Sequence, residues 1–208
     1  MKNNVYSKRM AILVIAFGTF SSTSCFAQLT PGWNQTNYPS SINSANAITT
    51  NASAVYVAGF DYIPGNKELR LEKRDLNTGA LITGFGTAGA ITSNPTPSDD
   101  IASGIAVDSS GVYITGTQEI CLGCDGKWRI EKRDLITGAP IWVKISDPSA
   151  NPDGSNAIVV DTSGVYIVGT VGISIFNWDW RVEKRNLSTG NLIWAQTIDV
   201  TGLGDSPL

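Results

Sequence analysis

Histidine is absent from all 208 residues. Without an imidazole the chain can build no Ser-His-Asp or Cys-His catalytic arrangement and no histidine-bound metal. Cysteine is scarce as well. Cys25, Cys121 and Cys124 are the whole set, too few for the second cysteine pair of a structural zinc site. Asp125 follows Cys124, so the pair is not a covalent haem-attachment motif. Basic residues number 15 against 18 acidic ones and form no tail, which argues against nucleic acid and anionic membranes as partners. Beyond residue 27 no stretch is apolar and long enough to span a bilayer.

The one long apolar run lies at the start. Lys2, Lys8 and Arg9 precede an apolar stretch from Met10 to Phe20, and small residues lead to a cleavage point after Ala27. This is the pattern of a secretory signal peptide, residues 1–27. The competing reading places a lipid on Cys25, but Ser22-Thr23-Ser24 lacks the aliphatic residue usual before such a site. Removal of 27 from 208 residues leaves 181, enough for one sizeable core. An exported protein, periplasmic, extracellular or held at the cell surface, is the expectation.

What remains is repetitive. NASAVYVAG, SSGVYITG and TSGVYIVG align Tyr56, Tyr113 and Tyr166, and the phrases RLEKRDLNTG, RIEKRDLITG and RVEKRNLSTG follow from Arg70, Arg129 and Arg181. Ile48, Ile105 and Ile158 fall in register, 57 and 53 residues apart. A period in the fifties is that of one β-propeller blade. Each unit reads as four short strands, a to d: an IAVD-type run, a VYIxG run, the charged phrase, and an LIW-type run. Asp108 to Gly111 and Asp161 to Gly164 are a–b turns, and the Thr-Gly pairs at Thr78, Thr137 and Thr189 close the c–d turns. The units run over about 45–83, 102–143 and 155–195, within a mature domain of 28–208.

Asp134-x-x-Thr137-Gly138-x-x-x-Trp142 resembles the turn and docking tryptophan of quinoprotein-like propeller blades, and Asn186, Thr189, Gly190 and Trp194 match it. The first unit has Thr83 where the tryptophan would stand. IAVDSSGVYITGT and Phe85-Gly-Thr-Ala-Gly89 are similar to the repeats of secreted bacterial β-propellers. The resemblance implies an all-β chain: a partial propeller of about three four-stranded antiparallel blades plus a lone N-terminal strand around Trp33. Quinone-dependent dehydrogenation is the enzyme activity it raises, but the chain has no adjacent cysteine pair and too few blades to enclose that cofactor. No cofactor is expected.

Nine of the twelve basic residues left after residue 27 lie in the charged phrases. Strand alternation sets Glu72 between Arg70 and Arg74, Glu131 between Arg129 and Arg133, and Glu183 between Arg181 and Arg185 on one face. A salt-bridge ladder between neighbouring blades is the structural reading; cationic sites for an acidic glycan are the functional one. Because each cluster carries its own glutamate, we expect architecture. Glu72, Glu131, Glu183, Trp142 and Trp194 are then structural repeat residues.

Function is expected where the units differ, on the rim formed by the b–c and d–a loops. Its b–c segments are FDYIPGNKE, QEICLGCDGK and VGISIFNWDW. Tyr62, Trp178 and Asp179 are the candidate ligand contacts, for a glycan or a protein; Trp180 aligns with Trp128 and Leu69 and is expected in the core. Cys121 and Cys124 are expected to form a local disulfide. Asn151-Pro-Asp153-Gly-Ser155 hints at a calcium loop, but its first acidic ligand falls on Ser149. No metal site and no catalytic residue is assigned, since Asp108 and Asp161 already serve turns. Three blades do not close a ring of four to eight, which leaves a truncated gene product, the favoured explanation, an arc that assembles with other copies through its open blade ends, or an open stack. The expectation is a non-catalytic binding or assembly scaffold. The alternative is a fragment of a secreted carboxylate-dependent hydrolase or lyase, its cleft completed by further blades.

Overall fold

The computed structural model describes residues 42–121, 125–174 and 177–199. The chain divides into two compact units, Met1–Pro31 and Gly32–Leu208, and every described residue lies in the second. Within it are twelve strands in three antiparallel sheets of four, with no helix among the described residues. The expected N-terminal strand at Trp33 lies outside the described residues, as does the cleavage region.

The first sheet holds β1 (Asn43–Thr50), β2 (Val55–Ile63), β3 (Asn66–Arg74) and β4 (Ala90–Ser93). The second holds β5 (Asp100–Asp108), β6 (Gly111–Glu119), β7 (Gly126–Arg133) and β8 (Pro140–Ser146). The third holds β9 (Gly154–Asp161), β10 (Gly164–Ser174), β11 (Asn177–Arg185) and β12 (Leu192–Ile198). Each is a meander in which chain neighbours pair. The repeat is preserved down to single residues. Ile48, Ile105 and Ile158 pair with Val57, Ile114 and Ile167, and the register of each first strand skips one residue shortly before that isoleucine, at Asn46, Ser103 and Asn156. Bulges of this kind increase the local twist.

The turns repeat for a chemical reason. In the a–b turns one side-chain oxygen, that of Asn51, Asp108 or Asp161, accepts hydrogen bonds from two backbone N–H groups and a serine hydroxyl. In the c–d turns Asp75, Asp134 and Asn186 do the same with a threonine. Each such turn ends on a glycine with φ near +70°, Gly79, Gly138 or Gly190, a conformation that disfavours a side chain.

One strand differs from expectation. The fourth strand of the first sheet lies at Ala90–Ser93 rather than near Leu81–Thr83, where Leu81 makes only an isolated bridge to Arg74. The displaced docking aromatic explains this. Thr83 is exposed, and the wholly buried Phe85 instead meets Tyr56 edge-on at 6.1 Å. Trp142 lies on Tyr113 at 6.2 Å and Trp194 on Tyr166 at 6.4 Å. Phe85 thus stands in for the tryptophan from a position shifted toward the C-terminus, and the chain must loop through Gly86 and Gly89, both at positive φ, before it can pair with β3.

The cores lie between sheets. Tyr56, Leu69, Leu71 and Phe85 of the first pack on Ala102, Ile105, Val112 and Ile114 of the second. Tyr113, Trp128, Ile130 and Trp142 of the second pack on Ile158, Val165 and Ile167 of the third. Lysines in the charged phrase tie the sheets at one rim: Lys73 Nζ donates to Leu135 O at 2.7 Å, and Lys132 Nζ to Leu187 O at 3.2 Å. The same ammonium groups lie over Tyr56 and Tyr113, where the ring face attracts a cation.

Candidate functional site

The charged phrase is a candidate anion site, and its geometry bears on that directly. Glu131 and Glu183 are wholly buried and Glu72 nearly so. Arg133 Nη2 stands 2.6 Å from Glu131 Oε2, and Arg129 Nε donates to Oε1. Arg181 and Arg185 grip Glu183 at 2.9 and 2.6 Å; Arg70 and Arg74 grip Glu72 at 2.8 and 2.6 Å. The second arginine of each set also donates to its own turn, Arg74 to Gly79 O, Arg133 to Gly138 O and Arg185 to Gly190 O. These ion triads run along single strands. They do not form the ladder between blades that the sequence suggested, because i, i+2 neighbours on a pleated strand are closer than groups on separate sheets. The neighbouring sheet supplies a hydroxyl instead: Ser146 Oγ donates to Glu183 Oε1 at 2.6 Å. Burial pushes the Glu72 and Glu183 carboxyls up, but the arginine bonds, with Ser146 at Glu183, outweigh it and hold both below the usual glutamate range.

The opposite rim carries the other candidates. Tyr62 is half-buried near the end of β2, its backbone N–H bonded to Ile42 O at 3.0 Å. Trp178 is half-buried on β11, while Asp179 is buried and, by strand alternation, on the other face. The loops are shorter than the sequence suggested. β2 and β3 are joined by Pro64 and Gly65 alone, while β10 runs as far as Ser174 and β11 begins at Asn177. Much of the variable sequence is therefore strand. Cys121 is disulfide-bonded; Cys124 lies outside the described residues. Trp180, expected in the core, is 41% exposed, because its counterpart Trp128 is covered by the third sheet and no described sheet covers Trp180.

Sequence reasoning missed the buried Asp100 and met the buried Asp153 only as part of a hinted calcium loop. Asp100 begins β5, and its Oδ2 accepts bonds from Thr96 N at 3.2 Å and Thr96 Oγ1 at 3.0 Å. Asp153, before β9, accepts from Ser149 N and Oγ and from Gly172 N. The signal was available: Thr96 and Ser149 each precede their aspartate by four residues. The hinted calcium loop is thus closed by Ser149 bonding Asp153. The carboxylates of Asp125, Asp147 and Asp153 converge within 4.8 Å, with Lys127 paired to Asp147. These three could offer a metal one oxygen each, but a lysine already answers some of their charge. A cleft beside β4, lined by Arg70, Leu81, Thr87, Ile91 and Thr92, offers a guanidinium already held by Glu72 and by Asp61 at 3.7 Å.

No family model and no curated protein matches the chain. No helix of the described residues is long and apolar enough to cross a membrane.

Asp100 gives a pH prediction. Burial pushes its carboxyl up from 3.8 to about 6, the Thr96 bonds offsetting only a fraction. An acid with a raised folded pKa keeps its proton longer in the folded state. Stability therefore falls as pH rises from about 4 through about 6. Asp100→Asn should gain roughly 2–3 kcal/mol over the parent above pH 7 and nothing below pH 4, read from urea midpoints at both. A loss of stability in the variant at neutral pH would contradict this.

Proposed function

We propose that the chain is an exported, non-catalytic scaffold of β-propeller type that binds a glycan through its variable rim. The observation that carries this reading is the contrast between rims. The a–b and c–d turns are three near-identical copies held by the same hydrogen bonds, whereas the opposite rim differs in every unit: a Pro-Gly hairpin, a disulfide-bonded segment and a tryptophan-bearing one. Variation on a constant frame is how repeat proteins present binding surfaces. A propeller arrangement is supported by three successive four-stranded meanders packed face to face. The arginines of the charged phrase are spent on buried glutamates, so an anionic ligand finds no free guanidinium there. That leaves the rim aromatics, Trp178 and Tyr62, as platforms on which a sugar ring can stack.

The test uses an immobilised panel of neutral and uronic-acid oligosaccharides. The parent should bind members of the panel, and Trp178→Ala should weaken that binding at least tenfold, about 1.4 kcal/mol. Absence of binding across the panel, or unchanged binding by Trp178→Ala, would defeat the proposal. Retention of a protein in place of any sugar would point to a different class of ligand and defeat it equally.

A further inference from the structure

The outer face of the third sheet repeats, position by position, a face that is buried elsewhere in the molecule. It carries Tyr166, Val168, Trp180, Val182 and Trp194; at the same register positions the second sheet has Tyr113, Thr115, Trp128, Ile130 and Trp142. In the second sheet all five are buried, under Ile158, Val165 and Ile167 of the third. In the third sheet Val168 is 37%, Trp180 41% and Trp194 39% exposed. The surface that should cover them is thus defined by the one that covers their counterparts.

That covering surface recurs on the same chain. Ile158, Val165, Ile167 and Gly169 correspond in register to Ile48, Val55, Val57 and Gly59 of the first sheet. Ile48 is 65% exposed, against 6% for Ile158. Gly169 matters because a Cβ there would stand 2.7 Å from Trp128 Cζ2, so the indole reaches the backbone only over a glycine; Gly59 likewise brings no side chain to that position. Charge agrees as well. Lys73 of the first sheet and Asp134 of the second attract one another across the existing contact, and Lys184 and Asp75 occupy those two positions on the open faces.

We propose that a second copy of this chain seats its first sheet on the third sheet's open face, Trp180 lying over the copy's Gly59 and Ile48. The contact joins two different surfaces and is heterologous. Two chains with three described sheets each bring six together, within the range in which propellers close. A closed dimer then uses the outer faces of the first and third sheets of each chain. This inference rests on the stacked sheets and is independent of what the rim binds.

The test is molar mass by light scattering on the full chain purified after export. The parent should be a dimer. Ile48→Asp and Trp180→Asp should each be a folded monomer, since either change spoils every parent-type contact. Mixed in equal amounts, the two should regain a dimer, because the intact third sheet of one meets the intact first sheet of the other. Val168→Asp replaces Trp180→Asp and is read in the same way if the latter loses its near-ultraviolet dichroism. A monomeric parent, single variants that keep the parent mass, or a mixture that stays monomeric would each overturn the proposal.

Discussion

Glu131→Gln is expected to destabilise the protein by about 3–5 kcal/mol, the usual result of breaking a buried ion pair by removing one partner. Glu131 is fully buried and answers two guanidiniums, those of Arg129 and Arg133. With the carboxylate gone, the glutamine amide oxygen can still accept from one guanidinium, Arg133 keeps its bond to Gly138 O and Arg129 keeps its bond to Gln118 Oε1. None of these acceptors carries a charge. Removing the whole triad is a different experiment. A variant with apolar residues of similar volume at 129, 131 and 133 should lose far less than the single change, since well-packed apolar replacements of buried ion groups are often neutral. Urea unfolding of both variants separates the cases. If the single change is silent, the glutamate is not holding the strand.

The second large effect concerns one aromatic position that the repeat places in two environments. Trp128→Ala should destabilise by about 3–5 kcal/mol, as buried aromatic truncations do. Trp128 is wholly buried between the second and third sheets, and its Nε1 donates to Thr170 O at 3.0 Å across that contact. The indole therefore joins two units by packing and by a hydrogen bond. Trp180→Ala, at the equivalent position of the third sheet, removes a partly exposed ring; with both changes read by urea unfolding in the monomeric Ile48→Asp background, it should cost less than half as much. The comparison controls for strand position and residue type. Equal losses would mean that the sheet contact contributes little to stability.

Much of this was legible in the chain because the repeat is spelled in side chains that act locally. The Asx-type turns, the Tyr-bearing strands and the strand alternation of Arg-Glu-Arg each depend on residues within a few positions. What depends on a neighbouring sheet was not legible. The fourth strand of the first sheet moved because Phe85, not the residue at position 83, fills the pocket beside Tyr56. Trp180 looked like core because Trp128 is core, yet its burial depends on a sheet lying over it. The rim shrank because β-branched and aromatic residues near the loops continued the strands to tight hairpins, placing Trp178 on β11. Asp100 was missed, and Asp153 was read as a calcium-loop residue, although their Thr and Ser partners stand at a fixed spacing, since only the fold shows that these carboxylates leave water.

The thrice-written charged phrase is internal framework. Arginine side-chain NMR tests it most directly. All six arginines of the described residues donate through Nε to a buried glutamate. Six Nε–H signals should be resolved, exchange slowly with water at neutral pH and stay in place when uronic-acid oligosaccharides are added. Rapid exchange, or shifts on adding the acidic sugar, would show that these guanidiniums face solvent and ligand, and would contradict it.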